Sequence, residues 1–457
     1  MDGATLREQY RRANQYRELA FVSRPYLGSP GAPAQAETNV SNLWAHLNGG
    51  FLMGYEYTHW WEESLALRQA AVLGDWSWLN KVRITGPDAS RFMDWISVKS
   101  VARQKVGQTL FTPMVSEHGR IAIEGLTLKL DEEEYLFTQS GAQFWLAEVK
   151  SRTSMKVELE DVTPDYTCFA LQGPRSREVL EEVTGESFTD LRFSHWRRLE
   201  LFGTEVIVQR QGVTGELGYE LLMHTGTGRA HELWRAVRTA GAPYGLRELG
   251  FKAQLIGHTE SNMPTVIRDF LPDRFPREKL PRFARLWSTE ADLAAIDHAL
   301  TEHLATPAEL GWGYTVDLDH DFLGRDALVA EADAGGPARL FRGLRWNAED
   351  MGRLFADQFL DVDAPAPPDL PWGQFRMSYL ATYHEGAAVG WASALTYSPT
   401  LRAMISHARL DRSVAPGDEV EVAYHATGAG PQRRIRATVT TPPFIPNLRR
   451  DPLSPAE

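Results

Sequence analysis

The sequence predicts an α+β fold of three lobes: two related α+β halves followed by a smaller β-rich unit. Three observations carry this. At 457 residues the chain exceeds what one hydrophobic core usually serves. A strand, a Gly-Pro turn and a helix follow one another twice, at Gly86-Pro87 and at Gly173-Pro174, which points to two similar halves and, more weakly, to a duplicated ancestor. After Gly343 the helical signal gives way to short β runs separated by turn residues, the pattern of a small barrel-like unit.

In chain order, residues 5–20 have helical composition and Arg24 to Ala36 is a Pro/Gly/Ala-rich loop, read as an arm or lid. Trp60 to Val72 has apolar residues at three- and four-residue steps and reads as a helix closed by Gly74. Trp78 to Thr85 reads as a strand, and Pro87 or Asp88 starts a helix over Ala89 to Ile96. Leu110–Met114 and Ile121–Leu128 form paired strands around Glu117-His118-Gly119, and Tyr135–Thr138 extends the sheet. A helix then begins near Phe144, with a strand over Lys156–Leu159. The second half repeats the scheme: a strand over Phe169–Pro174, a helix over Arg175–Glu182, a strand over Glu205–Gln209 and a helix over residues 228–241. Residues 265–310 are an excursion between lobes, helical near Ala291 to Leu304, and a proline-rich linker from Asp361 to Pro371 precedes the last β runs. The expected domains are 1–340, with an N-terminal arm over 1–50, and 341–457.

With 43% hydrophobic and 24% charged residues the composition is that of a soluble globular protein. A formal net charge of -12 argues against nucleic acid or an anionic membrane as the main partner, while leaving room for a local basic pocket. Cys168 is the single cysteine, which excludes an internal disulfide framework and a thiolate-rich metal site. The polar amino end lacks the apolar stretch of a secretory signal, and no run of 18 apolar residues is present, so a cytoplasmic location is expected. No His/Asp/Glu cluster has metal-ligand spacing, and Gly212-x-x-Gly215 lacks the dinucleotide-binding glycine pattern.

The most informative stretch is Gln211-Gly212-Val213-Thr214-Gly215-Glu216-Leu217-Gly218-Tyr219-Glu220, which runs straight into Leu221-Leu222-Met223. Its glycines mark a turn where chain and ligand can approach closely. Glu216 and Glu220, four residues apart, would share a face if the segment were extended. From the residues alone it is either a hairpin turn with solvated acids or a ligand loop.

Several separated motifs resemble one family in order. Arg83-Ile84-Thr85-Gly86-Pro87-Asp88-Ala89, Ala170-Leu171-Gln172-Gly173-Pro174 and the Thr214–Glu220 stretch are similar to motifs of the folate-binding aminomethyltransferases, whose namesake is the glycine cleavage T-protein. So are Leu310-Gly311-Trp312-Gly313, Asp321 to Leu328, and Ser398-Pro399-Thr400-Leu401 with Pro416 to Val420. The resemblance spans roughly residues 57 to 445. Within the family, Trp346 to Met351, Thr259-Glu260-Ser261 and His320-Asp321-Phe322 look most like the tetrahydrofolate-dependent aromatic O-demethylases.

The resemblance implies a metal-free enzyme that moves a one-carbon unit from an O-methyl or N-methyl small molecule to tetrahydrofolate. It puts the pterin-holding carboxylate on Glu220, with Glu216 and Tyr219 beside it, and adds Glu260, Lys252 and Trp312 to the cofactor's surroundings. Glu124 falls near a family acid that moves a proton or stabilises developing positive charge. Three departures stand on the substrate side: Trp78 replaces a family His, Gln254 a Tyr and Ser140 an Arg. Either the substrate differs or the acid–base work has moved to Glu124, His258 or His118, with Gln254 alongside; His258 reads equally as a structural histidine. Trp60, Trp61, Trp76 and Trp78 suggest an aromatic wall or ordinary core packing. The alternatives are different one-carbon or folate-independent chemistry on the same fold, or a non-catalytic folate-binding protein.

Overall fold

The computed structural model describes residues 4–5, 7–8, 27–47, 51–274, 300–360, 363–372, 378–425 and 431–453. Most of the helix expected over 5–20, and most of the one expected near Ala291 to Leu304, lie outside these residues. β1 (Leu27–Gly28), one helical turn α1 (Ala32–Gln35), β2 (Leu43–His46) and β3 (Phe51–Glu56) come first, with β3 central in a three-stranded sheet. The loop read as an arm or lid is bound into the fold instead. Ser29 Oγ and Gln35 Nε2 both donate to the buried Asp75 carboxylate, and Ala34 packs against Leu73 and Phe169.

Helix α2 (Trp60–Gln69) is capped by His59, whose ring nitrogen accepts from the Trp61 amide, and Glu62 and Glu63 sit in its first turn, where the helix dipole favours acids. It ends at Ala70. Gly74, read as its cap, lies inside β4 (Val72–Asp75), because the fully buried run that follows the helix belongs to a sheet.

One lobe is built from β5 (Lys81–Thr85), α3 (Ala89–Ile96), β6 (Thr109–Val115), β7 (Ile121–Asp131), β8 (Glu134–Thr138), α4 (Ala142–Ser151) and β9 (Glu158–Asp161). Its antiparallel sheet has the order β6-β7-β8-β5-β9, with Phe92, Met93, Trp145 and Leu146 packed against Val82 and Ile84. The other lobe adds β10 (Tyr166–Gln172), α5 (Ser176–Thr184), β11 (Trp196–Leu201), β12 (Thr204–Gln209), β13 (Gly218–His224), α6 (Ala230–Gly241), β14 (Arg247–Leu249) and α7 (Phe251–Glu260) to β4. Here the sheet order is β11-β12-β13-β10-β4-β14, and only β14 runs parallel to its neighbour.

The repeated Gly-Pro turn has one cause in both lobes. Gly86 and Gly173 adopt φ of +120° and +115°, and a Cβ there would lie 2.6 and 2.7 Å from the carbonyl oxygens of Lys156 and Ala70. Only glycine makes that strand-to-helix turn without strain.

Period-2 alternation explains how β13 serves two layers. Tyr219, Leu221 and Met223 pack with Phe169 and Trp234 in the core of their own lobe. Glu220 and Leu222 fall on the opposite face, where Leu222, Ile207, Cys168 and Ala170 meet Leu128 and Leu136 of the other sheet. The functional cavity opens along this contact between the two sheets.

The third lobe follows α8 (Arg325–Asp333). It contains β15 (Arg339–Trp346), α9 (Ala348–Ala356), β16 (Leu380–His384), β17 (Ala387–Ser398), β18 (Ala403–Asp411), β19 (Glu419–Tyr424) and β20 (Arg433–Thr440). The strands close a barrel in the order β15-β18-β17-β16-β19-β20, so the barrel-like expectation holds. The proline-rich stretch is not a free linker: Trp372 is buried and donates to the Lys252 carbonyl at 3.0 Å, fastening the stretch to α7. No helix among the described residues is long and apolar enough to cross a membrane.

Candidate functional site

Between the two sheets, α7 and the segment following it lies a cavity of two adjoining chambers. The inner one, about 220 Å³, is walled mainly by apolar groups that include Trp76, Trp78, Phe251, Leu255 and Ile267. The outer one, about 450 Å³, runs past Trp312 toward Lys99, Arg449 and Arg450. Phe111, Leu126, Val213, Glu220 and Met263 line both.

Glu220 stands where the chambers meet. Antiparallel pairing sets Gln209 of β12 opposite it, and Gln209 Nε2 donates to Glu220 Oε2 at 2.5 Å. The Gln209 side-chain carbonyl accepts from Thr109 Oγ1 of the other lobe at 2.9 Å, so both sheets orient the carboxyl. Burial pushes its pKa up to about 7, against the opposing pull of Gln209 and the buried Lys81 ammonium. The preceding turn is locked by Gln172, whose Nε2 donates to the carbonyls of Gln211 and Tyr219 while Oε1 accepts from Thr214. Gly212 and Gly218 are the residues whose missing Cβ leaves room for that carboxamide. The C-terminal tail laces onto the same turn, with Leu448 N donating to the Gly215 carbonyl at 2.7 Å.

Glu124, on β7, enters the inner chamber from the opposite lobe. Gln139 Nε2 donates to its carboxyl, and burial pushes its pKa up to about 8 despite that bond and the nearby Arg274 guanidinium. At neutral pH it is a carboxylic acid holding its proton in an apolar pocket. Gln254 and His258, one turn apart on α7, line the same chamber. Burial, with the positive charge of Arg268 second, pushes the His258 imidazole down to about 3.

Four expected cofactor contacts have other neighbours. Glu216 lines neither chamber: Gly215 at φ +83° turns the chain before β13 begins, so Glu216 and Glu220 do not share a face. Arg68 of α2 donates to Glu216 Oε1 at 3.0 Å and to Glu260 Oε2 at 2.9 and 2.6 Å, and Ser398 Oγ of the barrel donates to Glu260 at 2.5 Å. Both acids therefore belong to a buried inter-lobe ion cluster. Tyr219 points into the core of its lobe beside Phe188, as alternation next to Glu220 requires. Lys252 lies beside Glu56 at 3.5 Å, outside both chambers. Trp312 does line the outer chamber, edge-on to Phe111 at 5.2 Å.

On the substrate side, Trp76 and Trp78 line the inner chamber, whereas away from it Trp61 stacks on Tyr397 and Trp60 meets that ring edge-on. His118 is exposed at the β6–β7 turn and is not part of the site. Sequence reasoning missed Arg274, whose Nη1 donates to the Ser140 carbonyl at 2.9 Å, so an arginine stands against the position where the family arginine is absent. Nothing in the proline- and arginine-rich excursion marks that residue out. Gln209 was findable, because hairpin pairing across the glycine turn puts it opposite Glu220. Among the described residues no His/Cys/Asp/Glu group could hold a metal ion.

Comparisons with known proteins agree with this architecture. The GCVT N-terminal domain model matches residues 8–283 and the glycine cleavage T-protein C-terminal barrel domain model matches 377–445. The chain is 29% identical over 421 residues to the sesamin methylene transferase of Sinomonas sp. (strain No.22), covering 85% of this chain and 90% of that one. It is 30% identical over 292 residues to the aminomethyltransferase of Halothermothrix orenii, covering 63% and 72%. The crystal structure of glycine cleavage system aminomethyltransferase T from Bartonella henselae superposes with a TM-score of 0.69 at 18% identity, over 93% of this chain and 99% of that one, a likeness of fold. With the N-terminal family model covering more than half of the sequence and the barrel model matching the stretch that holds β16 to β20, the chain belongs to the glycine cleavage T-protein (aminomethyltransferase) family of one-carbon transferases.

Proposed function

We propose that this protein transfers a one-carbon unit from an aromatic ether, a methoxy- or methylenedioxy-arene, to tetrahydrofolate. The observation that carries the reading is a pair of buried carboxyls on one cavity: Glu220 where the chambers meet, and Glu124 in the apolar inner chamber, protonated at neutral pH. The similarity to the sesamin methylene transferase, which by its name moves a one-carbon methylene unit, supports a donor other than an amine.

The residues present fit a reduced folate. Glu220 offers a buried carboxyl to the N–H edge of a pterin. Phe111 and Trp312 offer aromatic faces along the outer chamber. At its far end burial, with the Arg450 charge second, lowers the pKa of the Lys99 ammonium, and neither Lys99 nor Arg450 makes an ion pair among the described residues. Two like charges held together without an acid suit the carboxylates of a folate tail. When bound, tetrahydrofolate would supply the nitrogen nucleophile that takes up the one-carbon unit.

The chain's own part is positioning and proton supply. An aryl oxide is a poor leaving group at neutral pH unless protonated as its bond to carbon breaks. Glu124 holds a proton for that oxygen in a chamber whose apolar walls exclude water and favour aromatic rings. Gln139, hydrogen-bonded to Glu124, fixes the direction of the carboxyl.

Calorimetry with tetrahydrofolate, followed by mass spectrometry of the folate pool after incubation with methoxy- and methylenedioxy-arenes and with methylamines, tests the reading. Tight folate binding and a one-carbon folate adduct from the ethers are expected; the adduct arising from methylamines alone would overturn it. Glu220→Gln should weaken folate binding by roughly 100-fold, the scale of a lost charge-assisted hydrogen bond with a buried donor left unpaired. Normal binding by that variant would remove Glu220 from the pterin site. Lys99→Gln with Arg450→Gln should cost about fivefold to tenfold in affinity and flatten its dependence on salt, since screened surface charges contribute up to about 1 kcal/mol each.

A further inference from the structure

The segment Met263 to Ile267 forms one wall of the inner chamber and ends on a residue whose side chain disfavours its backbone conformation. Ile267 has a φ of +77°, in the left-handed region. Eight non-glycine residues have positive φ among the described residues, and Ile267 is the one β-branched side chain in that set. Branching at Cβ crowds the neighbouring backbone there, so glycine would adopt this conformation freely and isoleucine adopts it under strain. Strain of this kind persists only where the surroundings over-determine it.

The surroundings do so from the third lobe. Tyr379, the residue before β16, donates from its hydroxyl to the Ile267 carbonyl at 3.2 Å. Its ring is stacked on His303 with centroids 3.9 Å apart and meets Trp391 of β17 edge-on at 6.3 Å. The Ile267 amide donates to the Phe270 carbonyl at 2.8 Å. Asp269, two residues on, is fastened to the barrel as well. Its Oδ1 accepts from Ser393 Oγ at 2.7 Å and faces His407 Nδ1 at 3.0 Å, while Oδ2 accepts from the Thr265 amide at 2.8 Å. The backbone is thus pinned on both sides of Ile267, and its buried side chain is held against the inner chamber. Tyr379 itself lines neither chamber.

We propose that Ile267 sets the size of the arene the inner chamber admits, with Tyr379 as the positioning residue that holds it from the barrel. This rests on the aromatic-ether reading above and adds to it a residue that selects among such ethers. An apolar cavity of about 150 Å³ holds benzene. The inner chamber, at about 220 Å³, therefore matches one substituted ring, and a fused second ring has to displace a wall. Ile267 resists that displacement because its backbone cannot shift without breaking the bonds to Tyr379 and Phe270.

The test compares 1,2-dimethoxybenzene with 2,3-dimethoxynaphthalene, which presents the same two ethers on a fused pair of rings. Dissociation constants are measured by equilibrium dialysis of the full-length protein in the presence of tetrahydrofolate. The unmodified protein should bind the single ring at least about tenfold more tightly. Ile267→Gly, which removes the side chain and the strain together, should bring that ratio to within about twofold, whereas Ile267→Val should keep most of it. Tyr379→Phe keeps the ring stack and removes only the hydroxyl, so it should lower the ratio at least about threefold without deleting any atom of the chamber. In the Ile267→Gly background the same change should have no further effect on the ratio, because the two residues act as one unit. Equal binding of both arenes by the unmodified protein, or a preference that survives Ile267→Gly, overturns the proposal. A Tyr379→Phe variant with the unmodified ratio overturns the positioning role. Where Ile267→Gly does not fold, the unmodified protein and Tyr379→Phe decide. One-carbon transfer from both arenes without preference removes the size reading alone, whereas no binding and no transfer from either removes the aromatic-ether reading and this one with it.

Discussion

Arg68→Met is expected to destabilise the protein by about 3–5 kcal/mol, the cost of removing one partner from a buried ion cluster. Arg68 is 5% exposed, Glu216 8% and Glu260 0%, so loss of the guanidinium strands two carboxylates out of reach of water. Its Nη1 also satisfies the Thr214 carbonyl at 2.6 Å, within the turn that leads to Glu220. Folate binding should therefore fall together with stability. The cluster joins α2, the glycine turn, the end of α7 and, through Ser398, the barrel, so its failure loosens the barrel from the lobe that carries Glu220. Chemical denaturation reads the loss, and a second variant separates charge from packing. Adding Glu216→Gln and Glu260→Gln to Arg68→Met should recover most of the stability, because no stranded charge remains. A triple variant no more stable than the single one would show that Arg68 acts through packing.

This cluster also marks where the sequence stops being legible. Glu216 and Glu260 read as cofactor contacts because the family resemblance puts acids there, yet Arg68 lies 148 and 192 residues from them. No local pattern reveals such a pairing. By contrast, the two Gly-Pro turns and the turn-punctuated barrel strands are local consequences of backbone sterics and side-chain period, and they were readable. Glu220 shared that advantage, because the hairpin across Gly212 to Gly218 fixes its face and its partner Gln209 together. Glu124 came from the family resemblance, but its protonation did not, because that depends on the apolar walls that α7 and the other sheet bring to it. Arg274 stayed hidden because its place beside Ser140 is set by the path of an irregular segment.

Glu124→Gln is expected to lower the rate of one-carbon transfer from an aromatic ether by about 10²–10⁴-fold, the usual contribution of a positioned general acid. Glutamine keeps the size of the side chain and a hydrogen bond to Gln139 but cannot release a proton. Folate affinity should stay near that of the unmodified protein, since Glu220 lies on another strand. The pH dependence separates this role from a structural one. In the folded protein the Glu124 carboxyl keeps its proton up to about pH 8, whereas in the unfolded chain it ionises near 4.5. Between those values the unfolded state has released a proton that the folded state retains, so stability declines as pH rises through the window. The slope is about 1.4 kcal/mol per pH unit for one fully buried group. The variant's carboxamide has no such proton to lose. Glu124→Gln should thus match the unmodified protein in stability near pH 4.5 and exceed it, by up to several kcal/mol, at pH 8. In parallel, turnover by the unmodified protein should fall as pH passes about 8 and the acid ionises, while the variant's residual rate stays flat across that range. A variant that is less stable at every pH would mark Glu124 as a packing residue, and one that retained full turnover would place the proton donor elsewhere in the chamber.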